Sequence, residues 1–408
     1  MLYHLYEMQH ATVAPVRILA DQGRKLLQHP LNPLGATPPG RYAAAAAEVF
    51  EHATRRYGKP RFGLDQTVID GEAVVVTEQI VARRGFGQLK HFARAVERDD
   101  PKLLIVAPMS GHFATLLRGT VEAMLPNHEV FITDWRDARN APLFEGRFDL
   151  DDYIDYLVDW LHELGPDTHV LAVCQPSVPV LAAVSMMAAD DDPCAPASMV
   201  LMGGPIDTRV NPTEVNSVAE SLSLGWFDRH AIVRVPWPNA GMMRRVYPGF
   251  LQLAGFMSLN MDRHLEAHGD IFRHLVAGDG ESARKKQDFY EEYRAVMDMT
   301  AEYYLQTVKV VFQEHHLPRG RMTSRGRLIE PAAITNTALM TVEGELDDIS
   351  APGQTRVAHH LCPNIPAAMQ LQHEQKDVGH YGIFNGRRWR ESIAPKIKAF
   401  IRAQSRQK

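Results

Sequence analysis

The sequence has few cysteines, no long apolar run and no excess of basic residues, and each absence excludes a class of protein. Three cysteines in 408 residues are too few for a disulfide framework and fit a reducing compartment. The longest nearly apolar stretch, residues 178–189, is too short to span a bilayer. A net charge of −5 gives no general attraction for nucleic acid. Because the N-terminus also lacks the pattern of a secretory signal, the sequence predicts a cytoplasmic protein with no membrane span and no nucleic-acid partner.

Strands and helices alternate regularly from about residue 101 onward. Strand patterns over residues 102–107, 129–133, 169–173 and 198–202 are separated by helical patterns, among them residues 113–125 and 150–164. Strand patterns return at residues 338–343 and 368–372, and an amphipathic helix over residues 389–403 closes the chain. This alternation predicts an α/β fold with a mostly parallel sheet flanked by helices.

Two helix-rich segments fall outside the alternation. Residues 1–95 predict an N-terminal helical extension plus a hairpin that turns at Asp70-Gly71, packed on the catalytic core. Residues 207–330 are rich in aromatic and methionine side chains and predict a cap or lid inserted between two strands of the sheet. The catalytic core is therefore expected over residues 96–206 and 331–408.

Cys174 lies where a predicted buried strand passes directly into a predicted helix. In the α/β-hydrolase fold this junction is a sharp turn that carries the nucleophile. A cysteine at this place faces a helix N-terminus, whose partial positive charge favours the thiolate. A small buried core cysteine is the alternative, and the strand-to-helix position favours the nucleophile.

A thiol nucleophile needs a base, and the base needs an acid that fixes its orientation. Asp347 lies in the turn Gly344-Glu-Leu-Asp-Asp-Ile349 after a predicted strand, and His380 lies in the loop Gly379-His-Tyr-Gly382 after the last one. Asp348 is an alternative acid, and both carboxylates equally fit ordinary turn residues. The order nucleophile, acid, histidine is that of α/β-hydrolases, so the sequence predicts a Cys174–Asp347–His380 triad.

Backbone N–H groups close to the nucleophile are the predicted oxyanion donors. Gln175 follows the cysteine, and Met109 or Ser110 lies in the loop after the first parallel strand. His112 in the same loop fits a substrate contact and a structural role equally well. Further substrate contacts are predicted for Trp226, Phe227 and Tyr381, although the aromatic residues of the insertion equally fit a core of their own.

The sequence predicts neither a metal site nor a bound cofactor. His264 and His268 are one helical turn apart, but the glutamate between them is not placed as in the zinc-protease motif. Gly203-Gly204-Pro205 matches neither a phosphate-binding loop nor a dinucleotide motif.

Short motifs spread over nearly the whole chain carry a family resemblance. They are the opening residues 1–10, His29-Pro-Leu-Asn-Pro33, the Ala-Val-Cys-Gln-Pro turn around Cys174, and the motifs around Asp347 and His380. Together they resemble the intracellular polyhydroxyalkanoate (polyhydroxybutyrate) depolymerases. The resemblance implies an α/β-hydrolase fold, a Cys–Asp–His triad like that of the related polymer synthases, and cleavage of ester bonds in the storage polymer. It also implies the surface of the polymer granule as partner and location, with water or coenzyme A as acyl acceptor. The expected partners also include a second copy of the chain, as a homodimer.

The residues flanking the cysteine bear on the choice within this superfamily. Ala172 and Pro176 stand where the general hydrolase box and the synthases keep glycine, which favours a depolymerase. A synthase-like acyltransferase and a non-catalytic granule-binding protein remain as alternatives.

Overall fold

A computed structural model describes residues 2–259 and 261–405. Its strands are β1 (Gln66–Ile69), β2 (Glu72–Arg84), β3 (Gly87–Arg94), β4 (Lys102–Val106), β5 (Glu129–Trp135), β6 (Thr168–Val173), β7 (Ser198–Met202), β8 (Val233–Arg234), β9 (Arg245–Tyr247), β10 (Met299–Thr300), β11 (Thr323–Ser324), β12 (Arg327–Leu328), β13 (Ala338–Gly344) and β14 (Gln370–Gln375). Its α-helices are α1 (Leu2–Leu27), α2 (Pro38–Thr54), α3 (Arg118–Met124), α4 (Leu150–Leu164), α5 (Ser177–Ala189), α6 (Glu214–Ser221), α7 (Leu224–His230), α8 (Gly249–Leu259), α9 (Met261–Ala277), α10 (Gly280–Arg294), α11 (Ala301–Thr307), α12 (Ala358–Leu361), α13 (Gly386–Arg388) and α14 (Ala394–Gln404).

A nine-stranded sheet in the order β1-β2-β3-β5-β4-β6-β7-β13-β14 organises the larger part of the chain. Strands β5, β4, β6, β7, β13 and β14 run parallel, and β3, β2 and β1 continue the sheet as antiparallel neighbours. Helices connect the parallel strands, as a parallel sheet requires. This mostly parallel sheet with flanking helices is the α/β-hydrolase fold, and the predicted fold class is confirmed.

The central strands are buried on both faces, which explains their continuous apolar sequences. Every residue of β6, β7 and β13 is buried, as expected for a parallel strand covered by helices on both sides. Helix α5 follows β6 and is apolar on nearly all sides, because it packs inside the molecule rather than at its surface. The turn that carries Cys174 therefore lies between two rigid, buried elements.

The described residues divide into two compact units. One unit comprises Met1–Pro60 and Pro248–Met297, and the other comprises Arg61–Tyr247 and Asp298–Lys408. Within the first unit, the Tyr6 ring stacks on Phe250 with ring centroids 4.3 Å apart, and Gln287 Nε2 donates to Glu48 Oε1 at 3.0 Å. The second unit contains the large sheet.

The predicted hairpin lies in the sheet unit, and the predicted cap is divided between the two units. The strands β1 and β2 form an antiparallel hairpin that turns at Asp70-Gly71, and β3 pairs with β5 of the large sheet. Of the predicted cap at residues 207–330, only residues 248–297 separate from the sheet unit, and they join residues 1–60. The local hydrophobic pattern could not show this association, because it joins helices about 200 residues apart in the chain.

No helix within residues 2–259 and 261–405 has the length and apolar character needed to cross a membrane.

Candidate active site

Cys174 occupies a tight turn between β6 and α5. Its φ is +68°, a left-handed conformation that non-glycine residues rarely adopt. Two backbone hydrogen bonds fix the turn, from Cys174 N to Met202 O at 2.7 Å and from Ser177 N to Cys174 O at 3.0 Å. Pro176 precedes the first residue of α5 with φ −55°, so the proline is compatible with the path of the helix. The cysteine side chain is neither fully buried nor fully exposed.

Asp347 and His380 meet at the ends of β13 and β14. His380 Nδ1 lies 2.7 Å from Asp347 Oδ2, and the side chains of both residues are buried. The other carboxylate oxygen of Asp347 accepts hydrogen bonds from Ile349 N at 2.9 Å and Ser350 N at 2.8 Å. The alternative acid, Asp348, is exposed. The geometry therefore pairs the imidazole with Asp347.

The charges around His380 stabilise its protonated form. Burial opposes a positive charge on the ring, but the charges of Asp347 and Cys174 and the hydrogen bonds to both raise the pKa of His380 well above its ordinary value. A histidine that contacts a cysteine can accept its proton, and the thiolate is the nucleophilic form of cysteine. The three side chains can therefore act together as nucleophile, base and orienting acid.

The loop after β4 carries the other predicted oxyanion donors, Met109 and Ser110. Its first residue, Ala107, is held on three sides. Ala107 N donates to Thr133 Oγ1 at 2.9 Å, and Ala107 O accepts from Trp135 Nε1 at 2.8 Å and from the Tyr153 hydroxyl at 3.2 Å. These bonds anchor the start of the loop to buried neighbours, which is what a preorganised oxyanion hole requires.

Residues 203–405, about half of the chain, match the family model described as "PHB de-polymerase C-terminus". The chain belongs to the polyhydroxybutyrate depolymerase family. It is therefore a carboxylic ester hydrolase of the α/β-hydrolase superfamily that acts on polyhydroxyalkanoate. No curated protein matches the chain.

Several solved hydrolase structures are similar to this depolymerase at low identity. A meta-cleavage product hydrolase from Pseudomonas fluorescens is 14% identical, covers 80% of this chain and 98% of its own, and has a TM-score of 0.43. Naproxen esterase from Bacillus subtilis is 12% identical; the match covers 91% of this chain and 99% of the esterase, with a TM-score of 0.41. A Paleococcus ferrophilus monoacylglycerol lipase is 12% identical; the match covers 75% of this chain and 96% of the lipase, with a TM-score of 0.42. These likenesses bear neither on the activity nor on the site.

The predicted substrate-binding residues of the depolymerase lie in different surroundings. Tyr381 packs edge-on against His380, with ring centroids 5.8 Å apart, so it borders the catalytic histidine candidate. His112 is buried, with 2% of its surface exposed. Phe227 is also buried and packs against Tyr304, whereas Trp226 is partly exposed and stacks on His230. Tyr381 is thus the substrate candidate for which the structure gives a direct contact with the triad candidates.

Two glycines next to the site have a role that the sequence did not indicate. A Cβ at Gly204 would lie 2.1 Å from Ser177 Oγ, and a Cβ at Gly203 would lie 3.2 Å from His380 Cε1 and 3.3 Å from Asp347 Oδ2. Glycine at these positions therefore lets the end of β7 approach the nucleophile turn and the Asp347–His380 pair. The signal in the sequence was a glycine pair at the end of a buried strand adjacent to the nucleophile strand.

Glu343 is a second feature that the sequence did not single out. This carboxylate is 2% exposed and accepts hydrogen bonds from the backbone N–H groups of Gly353, Thr355 and Arg356, at 2.8–2.9 Å. It ties the loop that carries Asp347 to the end of β13. The sequence signal was an acidic residue at the end of an otherwise apolar strand.

Tyr153 and Tyr303 form a buried stacked pair beside the nucleophile, with ring centroids 5.6 Å apart. Burial raises the pKa of both phenols well above the ordinary value, and the charge of Cys174 adds to each rise. Both hydroxyls therefore stay neutral. The Tyr153 hydroxyl donates to Ala107 O at the start of the loop that carries the predicted oxyanion donors, a contact that the sequence analysis missed.

Proposed function

We propose that this depolymerase cleaves the ester bonds of poly(3-hydroxyalkanoate) through a Cys174–Asp347–His380 triad and a thioester acyl-enzyme. The Cys174 thiolate attacks the ester carbonyl, and the tetrahedral oxyanion is held by the N–H groups of Gln175 and of Met109 or Ser110. His380 then donates its Nε2 proton to the departing hydroxyl oxygen, which leaves the acyl group on sulfur. The observation that carries this proposal is the buried His380–Asp347 bond of 2.7 Å beside a cysteine held at positive φ.

The second half of the reaction releases the acyl group. We propose that His380, now neutral, takes a proton from a water molecule that attacks the thioester carbonyl. The C–S bond then breaks, which releases a 3-hydroxy acid or a short oligomer and restores the Cys174 thiolate beside protonated His380. Coenzyme A is an alternative acceptor, because its thiol would exchange one thioester for another. Mass spectrometry of the products, with and without coenzyme A, distinguishes free acids from coenzyme A thioesters.

A cysteine substitution tests the role of the sulfur atom. Cys174→Ala should abolish product release from amorphous polymer granules, whereas Cys194→Ala, a matched change at another partly exposed cysteine, should leave release unchanged. Unchanged release by Cys174→Ala would overturn the triad, and it is the result expected of a non-catalytic granule-binding protein. Polymer formation from 3-hydroxybutyryl-CoA by the wild type would instead support a synthase-like acyltransferase.

The rate of alkylation provides an independent test of the activated thiol. Iodoacetamide should label Cys174 faster than Cys194 and Cys362. Cys362 is 0% exposed, and burial raises the pKa of its thiol to about 12, so it should react last. Peptide mapping after limited alkylation gives the order, and a faster reaction at Cys194 would contradict an activated nucleophile.

We further propose that the enzyme works at the surface of polymer granules in the cytoplasm and adsorbs through helix α1. Six apolar side chains of α1 are each 49–71% exposed: Leu5, Met8, Val16, Ile18, Leu19 and Leu26. Among its charged side chains, Arg17 donates to Thr54 O, and Asp21 pairs with Arg24 and with Lys25, whose side chain is 60% exposed. An ordinary surface helix buries most of its apolar side chains against the core, whereas α1 leaves these six exposed. Exposed apolar side chains of this kind suit an uncharged aliphatic polyester.

Granule binding and catalysis can be separated in one experiment. Leu19→Gln/Leu26→Gln should lower the fraction of enzyme that sediments with granules and leave hydrolysis of a soluble short ester unchanged. The matched control is Val68→Gln/Val75→Gln, which changes two valines that are 60% and 61% exposed on β1 and β2. Equal loss of sedimentation in both variants, or none in either, would contradict adsorption through α1. A change from dimer to monomer in the α1 variant, with sedimentation kept, would assign this face to a second copy of the chain.

A further inference from the structure

Three side chains of metal-binding type meet in the sheet-containing unit, at the end of α5 opposite to the nucleophile. His162 lies in the last turn of α4, and Asp192 and Cys194 lie in the loop that follows α5. Cys174 precedes the first residue of α5, and a helix of 13 residues is about 20 Å long. The cluster is therefore separate from the active site and plays no part in the ester hydrolysis described above.

The cluster has a defined geometry. His162 Nε2 lies 2.6 Å from Asp192 Oδ2, and one atom of each of the three side chains lies within 4.8 Å of the other two. The second carboxylate oxygen of Asp192 accepts a hydrogen bond from Cys194 N at 2.9 Å. Backbone bonds from Asp192 N to Met187 O at 2.9 Å and from Ala195 N to Asp192 O at 3.0 Å hold the loop in place. Asp192 and Cys194 are thus fixed relative to each other before any ligand binds.

The donor set matches zinc in type and nearly in spacing. Zn²⁺ takes imidazole nitrogen, thiolate sulfur and carboxylate oxygen at about 2.0–2.3 Å, which places the donor atoms of a tetrahedral site about 3.3–3.7 Å apart. The present separations need changes of only about 1 Å to reach that spacing. His162 can supply the movement, because its side chain is 47% exposed. Three protein ligands leave the fourth position for water.

We propose that His162, Asp192 and Cys194 form a zinc-binding site with water as the fourth ligand. Binding converts the Cys194 thiol into a thiolate, and the proton passes to solvent. The bound ion joins the C-terminal end of α4 to the loop after α5, and so clamps the two helices that flank the nucleophile strand. The sequence analysis predicted no metal site, because these ligands come from two separate segments and lack any recognised metal-ligand spacing.

The rival explanation is an ordinary ion pair between His162 and Asp192 with a cysteine nearby. The chain offers a matched control for it in His274 and Asp279, whose side chains lie 3.2 Å apart. In the described part of the chain, this pair belongs to no group of three metal-binding residues. If the cysteine is required, a metal ion should bind at the His162–Asp192 pair and not at the His274–Asp279 pair.

The test uses the full chain with Cys174→Ala, so that the active-site sulfur cannot bind the metal. Cobalt(II) should bind with one equivalent and give the near-ultraviolet charge-transfer absorption of a thiolate–cobalt bond, and Zn²⁺ should displace it. Adding Cys194→Ser should remove the band. Adding His162→Ala should weaken binding at least about tenfold, since loss of a direct ligand costs no less than loss of an outer-shell partner. Adding His274→Ala should change neither the absorption band nor the affinity for cobalt.

Cysteine protection gives a second readout without any substitution. One equivalent of Zn²⁺ should slow iodoacetamide labelling of Cys194 in the wild-type chain at least about tenfold, as measured by peptide mapping, and should leave Cys362 unaffected. The proposal is overturned if cobalt gives no thiolate band, if the band survives Cys194→Ser, or if His274→Ala weakens binding as much as His162→Ala. None of these results bears on the triad, since the cobalt test is made without Cys174.

Discussion

Replacement of Asp347 by asparagine should almost abolish turnover through a change of tautomer at His380. In the wild type, one oxygen of Asp347 accepts from two backbone N–H groups, at 2.9 and 2.8 Å, and the other faces His380 Nδ1. Asparagine keeps one oxygen, and the two backbone donors will hold that oxygen in place. Its NH₂ group must then point at His380 Nδ1, which becomes an acceptor. The proton of a neutral imidazole is thereby forced onto Nε2, where it blocks proton transfer from Cys174.

The size of the loss follows from this geometry. The corresponding Asp-to-Asn change in a serine protease leaves the structure intact and lowers kcat by about 10⁴ through the wrong tautomer, which is about 5.4 kcal/mol of transition-state stabilisation. We expect a loss of about 10³–10⁴ in kcat for Asp347→Asn here, because its orientation is fixed in the same way. A thiolate forms more easily than an alkoxide, which places the expectation at the lower end of that range.

Release of 3-hydroxy acid from amorphous granules under saturating polymer gives kcat, and the melting temperature shows whether the variant is folded. Asp348→Asn is the matched control, since Asp348 is the exposed neighbour and should keep wild-type activity. The reasoning is refuted if folded Asp347→Asn retains kcat within about tenfold of the wild type, or if Asp348→Asn loses as much.

Further consequences can be measured on purified protein. Tyr153→Phe removes the 3.2 Å bond to Ala107 O and should lower kcat about tenfold with KM unchanged. The control Tyr156→Phe should leave kcat unchanged. A change in KM as large as the change in kcat would contradict a positioning role. Gly204→Ala places a Cβ 2.1 Å from Ser177 Oγ and should lower the free energy of unfolding in urea by about 2–4 kcal/mol. Adding Ser177→Gly should recover most of that loss. No recovery would contradict the steric explanation. Burial lowers the pKa of His380, but Asp347 and Cys174 raise it further, so that the net shift is upward. His380 therefore stabilises the fold fully below the pKa of the unfolded chain, about 6.5, and progressively less as the pH rises through its pKa in the folded protein. The stability of the wild type relative to His380→Gln should therefore be larger at pH 6 than at pH 9, and the opposite trend would contradict the raised pKa.

The parallel sheet could be predicted from the sequence because its signals are local. The apolar run of β6 and the helix-forming residues of α5 place Cys174 at a strand-to-helix turn without any knowledge of distant contacts, and its φ of +68° agrees with the strained turn expected there. The positions of Asp347 and His380 follow from the rule that parallel strands end at one edge of the sheet. The two side chains are in contact in the structure, at 2.7 Å, and their catalytic roles stay a prediction.

Features that depend on packing between distant segments could not be predicted. The pairing of β3 with β5 and the association of residues 248–297 with residues 1–60 leave no mark in local periodicity. The roles of Gly204 and Glu343 likewise depend on what the neighbouring loop brings close. Phe227, predicted as a substrate contact, is buried against Tyr304, because an aromatic residue in a helical pattern fits a local core as well as a binding surface.

The central claim is that the acyl group passes through the sulfur of Cys174. Rapid acid quenching during turnover on a short polymer oligomer, followed by peptide mapping, tests it directly. The account predicts a 3-hydroxyacyl adduct on the peptide that contains Cys174, labile to hydroxylamine and missing when the cysteine is replaced by alanine. An adduct on a different residue, or steady turnover by the alanine variant, would contradict it.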